Sequence, residues 1–220
     1  MNATFNPSSF EIPSADCRLC GTLEVPADAR NIIIFSHGLT SNCLSPRDRL
    51  VARALFNRGF AVLLPDLTLS GSDHAARCPD DPESICQTAK QLVACIDWLT
   101  ASAATSGLRI GIFGAGSGAA ASMSAAAQRP VDVHAVVSLG GRPDLADHML
   151  SEVQAATLML AGSKDKDGHY HNRNAGIKMR RKPMLELIHG ATHLFREPGK
   201  LEHVAYICSL WFKATLPRCA

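Results

Sequence analysis

The sequence predicts an α/β protein in which a mostly parallel sheet carries helices on both faces. Short apolar runs recur along the 220 residues, and amphipathic segments separate several of them. Apolar runs without polar alternation are typical of strands buried on both faces. Because parallel strands are joined by right-handed crossovers, this order favours one sheet between two helical layers. The length is that of one α/β domain, so we expect a single domain over residues 1–220.

The opening of the chain is expected to form one end of the sheet. Residues 10–25 contain two short strand-like segments, which indicate a hairpin. The run NIIIFSHG follows and predicts a fully buried central strand that ends near His37. We therefore expect the polar loop after this strand to lie at the carboxyl edge of the sheet, where open α/β sheets bind ligands.

Two crossover helices are predicted on either side of the next strand. The first begins with Ser45 as N-cap and Pro46 at the first helical position, and a glycine closes it. The run FAVLLPD then predicts a buried strand ending at Asp66, followed by a long polar loop. Apolar residues at helical spacing over residues 85–99 predict the second amphipathic helix.

The segment 108–122, LRIGIFGAGSGAAAS, passes from a buried strand through a glycine-rich turn into a helix of small residues. This is the outline of a nucleophile elbow, in which the positions two before and two after the nucleophile must be small. Gly114 and Gly118 meet that requirement. The residue between them is Gly116, which has no side chain, and Ser117 stands one position later.

The second half of the chain predicts three more buried strands and two loop residues suited to catalysis. The strands are VHAVVSLGG, TLMLAGSKD and PMLELIHGATH, with Asp165 directly after the second and His193 after the third. A final helix over about residues 198–215 closes the domain. His169 and His171 are assigned to an exposed polar loop, and KMRRKP to a solvated connection.

Asp165, His193 and the glycine-rich turn together suit nucleophilic catalysis. A serine hydroxyl becomes reactive when an imidazole takes its proton, and that imidazole needs a carboxylate to fix its tautomer. His193 is the candidate base and Asp165 its candidate partner, with Asp167 as a weaker alternative. Their chain order is the one that α/β-hydrolases use.

Six segments together resemble the dienelactone hydrolase-like branch of the α/β-hydrolase family, particularly bacterial hydrolase domains sometimes found beside phosphoribosyltransferases. They are FSHGLTSNCLSPRDRLVA, IGIFGAGSGAAAS, VVSLGGRPDLA, LAGSKD, NRNA and GATHLFREPG, and the resemblance extends over nearly the whole chain. It implies an α/β-hydrolase fold without a large lid domain. It also implies His193 as the triad histidine and Asp165 as the triad acid. The nucleophile position falls on Gly116, where relatives carry serine or cysteine, and the oxyanion hole would use the backbone N–H groups of Leu39 and Ser117.

Two interpretations of the turn remain open. In the first, Gly116 occupies the apex and Ser117 begins the helix, so the protein is a non-hydrolytic relative or an inactivated one. In the second, the strand extends by one residue and Ser117 is the nucleophile between two alanines. The geometry favours the first, because a one-residue slip turns every side chain of a strand over.

The corresponding functions also remain open. The leading expectation is an esterase- or lactonase-like site for a small ester, lactone or thioester, with hydrolysis dependent on Ser117. The alternative is a catalytically silent relative that binds a small molecule or transfers protons through His193 and Asp165.

Composition bears on partners and location. The formal net charge is +2, so we expect no binding to nucleic acid or to an anionic membrane surface. No segment approaches the ~18 apolar residues of a membrane helix, and the first ten residues lack a signal-peptide pattern. We expect a cytoplasmic monomer or homodimer that acts on a small molecule without cofactor or metal.

The remaining residues of interest have modest expected roles. Most of the eight cysteines should be small core residues, and Cys17 and Cys20 form a CxxC in a strand-like segment that does not suit a metal. Arg142, like Ser45 and Arg47, is expected to hold loops together more than to contact an anionic substrate. The candidate pocket residues are His37, Gly38, Thr40, Asp66 and Arg142.

Overall fold

The structure is a computed structural model that describes residues 8–13, 18–37, 46–67, 78 and 80–216. Eight strands form one sheet in the order β1-β2-β4-β3-β5-β6-β7-β8. Strand β2 is antiparallel to both of its neighbours, and the other pairs are parallel. The strands are β1 (Ser8–Pro13), β2 (Arg18–Glu24), β3 (Asn31–Ser36), β4 (Ala61–Pro65), β5 (Arg109–Ala115), β6 (Val133–Leu139), β7 (Ala156–Gly162) and β8 (Met184–Ile188).

Helices cover both faces of this sheet. Two of them pack on one face and three on the other, together with a 3-10 segment, Pro143–Glu152, after β6. The first pair is α1 (Pro46–Phe56) and α5 (Lys200–Thr215), and the opposite layer is α2 (Pro82–Ala101), α3 (Gly118–Gln128) and α4 (Lys166–Lys178). The predicted fold class, a mostly parallel sheet between helical layers, is confirmed.

The buried strands fill both cores because successive side chains point to opposite faces of a sheet. In β3, Ile32 and Ile34 pack under α2, whereas Ile33 and Phe35 pack under α1 and α5. All four are essentially inaccessible to solvent. A strand that is apolar at every position is therefore required at the centre of the sheet, as the sequence predicted for NIIIFS.

The glycine-rich turn lies at the point where the sheet reverses its winding. Strands β3 and β5 are neighbours, and the chain builds outward from them in opposite directions. The crevice at such a point, beyond the carboxyl ends of the strands, is where α/β sheets bind ligands. A Cβ on Gly118 would lie 2.4 Å from the Ser36 carbonyl oxygen, so glycine allows α3 to begin directly against the end of β3. The Ser36 hydroxyl also donates to the Gly118 carbonyl at 3.0 Å.

One segment differs from its sequence prediction. Residues assigned to a polar loop form α4, so His169 and His171 lie on a helix and are half-buried rather than exposed. The segment has few apolar residues, and its first turn is stabilised instead by Asp165, whose carboxylate accepts a 3.0 Å hydrogen bond from the Gly168 N–H. The last helix also begins at Lys200, two residues after Pro198.

The burial of the described cysteines differs from the prediction that most are core residues. Cys95 and Cys208 are buried, and burial raises the pKa of both thiols. Cys20, Cys78 and Cys86 are exposed, so the prediction is wrong for these three. Cys17, Cys43 and Cys219 lie outside the described residues, as does Ser45, the predicted cap of α1.

Candidate active site

Asp165 and His193 meet at the carboxyl edge of the sheet. Asp165 lies three residues after the end of β7, and His193 lies in the loop after β8. Asp165 Oδ2 is 2.7 Å from His193 Nδ1. The Asp165 side chain is 10% exposed and that of His193 54%, so the carboxylate is shielded while the ring reaches the cavity described below. An Nδ1–H that donates to Asp165 leaves Nε2 unprotonated in the neutral ring, the tautomer a general base requires.

Hydrogen bonds within and between the two loops fix the positions of Asp165 and His193. The Lys164 N–H donates to the Ala191 carbonyl at 3.0 Å, and the Thr192 N–H donates to the Glu197 carboxylate at 2.9 Å. The latter bond lowers the pKa of Glu197. Phe195, two residues after His193, has a left-handed φ of 54°. Because its side chain is fully buried, it anchors the loop. These contacts hold the His193 ring against Asp165.

Gly116 forms the apex of the turn between β5 and α3. Its φ is 58°, in the left-handed region that glycine adopts without strain. Its carbonyl accepts hydrogen bonds from the N–H groups of Arg142, at 3.0 Å, and Ala119, at 3.2 Å. A Cβ placed on Gly116 would meet no atom of a described residue within 4 Å. Gly114 is different, because its Cβ would lie 2.5 Å from the Ser122 hydroxyl oxygen. Packing requires glycine at position 114, whereas open space faces position 116.

Ser117 belongs to the start of α3. Its φ and ψ are −65° and −22°, which are helical, and β5 ends at Ala115 without the additional strand residue that the second interpretation needs. Its hydroxyl makes no hydrogen bond to any described residue, His193 included. This geometry agrees with the first interpretation of the turn. The Ser117 backbone N–H also has no acceptor among the described residues and borders the same cavity.

A cavity of about 1100 Å³ lies over the turn and the Asp165–His193 pair. Gly116, Ser117, Asp165, His193 and Arg142 all line it. His37 and Asp66, two of the predicted pocket residues, are not among its described lining residues: His37 is buried, and the Asp66 N–H donates to the Cys20 carbonyl instead. Gly38, Leu39 and Thr40 lie outside the described residues.

Arg142 holds several loops together on the cavity wall. Its guanidinium contacts the Asp144 carboxylate at 3.0 Å through both Nε and Nη2, and it contacts Asp80 at 3.2 Å. The bond to Asp144 raises the pKa of Arg142. His171 Nδ1 lies 3.2 Å from the same Asp144 carboxylate. The arginine charge is already matched by two carboxylates, which agrees with the structural role expected for it.

Asn172 is a site residue that the sequence reasoning missed. It is completely buried on α4, and its amide nitrogen donates to the carbonyls of Gly168, at 2.7 Å, and Gly141, at 3.3 Å. Gly141 precedes Arg142, whose N–H donates to the Gly116 carbonyl at the apex, and the Gly168 N–H donates to the Asp165 carboxylate that caps α4. One amide therefore connects the Gly116 side of the site to the Asp165 side.

Neither metal-binding nor membrane-spanning features are found in the described part of the chain. No three histidine, cysteine, aspartate or glutamate side chains among those residues cluster so as to hold a metal ion. No helix there combines the length and hydropathy required to cross a bilayer.

The sheet order, the strand-to-helix turn and the position of the cavity define an α/β-hydrolase fold. The solved structure of a lidless α/β serine hydrolase from Xanthomonas campestris superimposes with a TM-score of 0.73 at 17% identity, covering 99% of each chain. The connection between β6 and β7 contains only the 3-10 segment, in keeping with a fold that has no large lid. Likeness at this identity establishes the fold alone.

The chain belongs to the dienelactone hydrolase family, whose sequence model matches residues 21–211. The dienelactone hydrolase of Anabaena variabilis is 38% identical, with a TM-score of 0.90 over 96% of this chain and 99% of that one. Two proteins from strains of Mycobacterium tuberculosis, each named a putative phosphoribosyl transferase, are 41% identical over 194 residues. That match covers 88% of this chain and 43% of each relative, so the chain spans less than half the length of those proteins.

Proposed function

We propose that the protein hydrolyses small esters, lactones or thioesters with a water molecule that His193 activates, and that no covalent acyl-enzyme forms. The observation that carries this proposal is the 2.7 Å contact between Asp165 and His193 beside a turn whose apex has no side chain. The proposed base and its orienting carboxylate are present. Gly116 stands at the position where the family resemblance places a nucleophile that would be acylated.

The chemistry follows from the groups around the cavity. A water near the Gly116 apex loses a proton to His193 Nε2 as its oxygen bonds to the substrate carbonyl carbon. Asp165 stabilises the imidazolium that forms. The Ser117 N–H is proposed as one donor to the negative oxygen that develops, and the Leu39 N–H as the other. His193 then returns the proton to the departing oxygen or sulfur, and the acid product leaves.

The relatives support an acyl substrate over a phosphoribosyl one. The match to the dienelactone hydrolase from Anabaena variabilis covers 96% of this chain and 99% of that one, whereas the M. tuberculosis proteins named as transferases are more than twice as long as the matched segment. Phosphoribosyl transfer is thus not proposed for these residues. We further propose that residues 1–220 form one domain, that the protein acts in the cytoplasm as a monomer or homodimer, and that the reaction needs no cofactor.

The test is steady-state hydrolysis of p-nitrophenyl acetate by the protein and by His193→Ala. We expect the substitution to lower kcat/KM by ~10²–10⁴-fold, the usual contribution of a positioned acid–base group. A parent rate equal to that of His193→Ala, in a protein that melts cooperatively, would refute hydrolysis at this site. His189→Ala is the matched control, because this histidine is exposed at the end of β8 and lies outside the cavity lining.

The missing side chain at Gly116 favours a second candidate, a protein that binds a small acyl compound without turning it over. In that case the cavity would bind a hydrolytically stable analogue, such as a small ketone or amide, while ester turnover stays at the His193→Ala level. Calorimetric titration of the parent with such an analogue, set beside the turnover assay, separates the two candidates.

A further inference from the structure

We propose that the open space at Gly116 binds a small primary alcohol, and that the protein transfers acyl groups from an ester to this alcohol. The inference rests on the proposed function, because it uses the same base and the same acyl donor. It adds a second substrate and a product, a new ester, that hydrolysis does not form.

The described residues leave room at the apex for the missing group. Serine at this position would place a CH₂–OH unit where Gly116 has none, and a Cβ there would meet no atom of a described residue within 4 Å. Gly116 has a left-handed φ of 58° at the apex of the turn. A free molecule with one carbon and one hydroxyl can therefore occupy the place of a serine side chain without moving the backbone.

The cavity also has room for an acyl donor beside that alcohol. Its volume, about 1100 Å³, is slightly above the range of roughly 300–1,000 Å³ typical of pockets for one drug-sized ligand, so an ester and a small alcohol fit together. Apolar side chains line part of the wall, including Leu50, Leu194 and Phe195. A carbon-bearing nucleophile gains contact with such a wall, which water does not.

The transfer step is balanced by the groups already described. The alcohol oxygen bonds to the acyl carbon while its proton moves to His193 Nε2. The bond from that carbon to the original alkoxide or phenolate then breaks, and His193 returns the proton to the departing oxygen. Ester and alcohol exchange partners, nothing is oxidised or reduced, and His193 ends in its starting state. Ser117 provides only its backbone N–H.

The experiment measures p-nitrophenol release from p-nitrophenyl acetate with increasing methanol, while NMR quantifies methyl acetate and acetate. We expect methanol to accelerate release by the parent, saturably and by ~10-fold or more, because bound alcohol is the attacking group. tert-Butanol carries its hydroxyl on a tertiary carbon, whose three methyl groups hinder attack on a carbonyl carbon, so it should not accelerate release. Gly116→Ser provides the comparison, because its own hydroxyl attacks first and methanol then alters the products without accelerating the first step.

The possible results distinguish failure of acyl transfer from failure of the proposed hydrolysis. Equal effects of methanol and tert-butanol on the parent, with His193-dependent hydrolysis intact, overturn acyl transfer and leave the proposed function standing. Saturable methyl acetate formation that is lost in His193→Ala supports transfer even where hydrolysis in water is too slow to measure. A parent that forms neither acetate nor methyl acetate above the His193→Ala level overturns both.

Discussion

The side-chain amide of Asn172 donates a 2.7 Å hydrogen bond to the carbonyl of Gly168, the residue whose N–H donates to the Asp165 carboxylate. The same amide reaches the Gly141 carbonyl on the loop that holds the Gly116 apex. The two halves of the site are thus joined through one buried side chain, and their spacing depends on it.

Replacing Asn172 by alanine is therefore expected to loosen the site as well as weaken the fold. The Gly141 carbonyl loses its donor, which costs about 1–3 kcal/mol of unfolding free energy for a buried group left unsatisfied, whereas the Gly168 carbonyl keeps its partner within α4. We expect kcat for p-nitrophenyl acetate to fall ~10-fold or more with little change in KM, because positioning and not binding is lost. Asn174→Ala, on the same helix and without a side-chain hydrogen bond, is the control. Equal kcat values for Asn172→Ala and the parent would show that Asn172 has no positioning role.

Asp165→Asn tests which carboxylate orients His193. The amide can still cap α4 at Gly168, but it no longer holds the Nδ1–H tautomer or stabilises an imidazolium. We expect kcat/KM to fall by ~10²–10⁴-fold. Asp167→Asn, two residues along the same chain, should leave the rate within ~3-fold, because Asp167 makes no hydrogen bond to His193. A larger loss at Asp167 than at Asp165 would reverse the assignment.

Gly116→Ser is expected to create a covalent route. The hydroxyl would enter open space at the apex, beside the cavity that His193 lines. A non-glycine residue at a φ of 58° costs about 1–3 kcal/mol, which most domains tolerate. The variant should hydrolyse p-nitrophenyl acetate faster than the parent and react with a fluorophosphonate probe at residue 116. A cooperatively melting variant with neither property means that the cavity lacks more than a nucleophile.

A pH-dependent ion pair joins α2 to the end of α3. Asp97 binds Arg129 through two contacts of 2.7 Å, and the hydrogen bond from Arg129 lowers the pKa of Asp97. A lowered carboxyl pKa stabilises the fold above the unfolded value of about 3.9, and this stabilisation is lost as pH falls through the folded value. The Asp97 side chain is 52% exposed, so we expect Asp97→Asn to cost only ~0.2–1 kcal/mol near pH 7 and less in acid. Urea unfolding of the parent and of Asp97→Asn, each near pH 7 and in acid, measures this difference in the free energy of unfolding. A difference that does not shrink in acid would contradict a stabilising ion pair.

Local sequence pattern was enough to predict the layers of the fold. Apolar runs such as NIIIFS and LRIGIF predict strands that are covered on both faces, and these runs form β3 and most of β5. Pro46 is the first residue of α1, as predicted. The spacing of the glycines around residue 116 also predicted a sharp turn from strand to helix, because only small residues fit where α3 begins against β3.

Helix α4 was missed because its buried face is mostly not apolar. The buried residues within α4 are Gly168, Asn172 and Ala175, of which only Ala175 has an apolar side chain, and buried Met179 follows at the C-cap with the same helical spacing. Asn172 and Asn174 look alike in the sequence NRNA, and only tertiary packing distinguishes the buried amide from its neighbour. The spacing of these four residues is the signal that could have revealed both the helix and the buried asparagine.

The central claim is that Gly116 occupies the apex and that acyl groups never become attached to the protein. Intact-protein mass spectrometry during turnover of p-nitrophenyl acetate, quenched rapidly in acid, tests it most directly, with Gly116→Ser as the positive control. The parent should show no added acetyl group while it releases p-nitrophenol in a His193-dependent reaction. An acetyl adduct on Ser117 that forms and decays at the turnover rate would contradict the account, because Ser117 would then be the nucleophile after all.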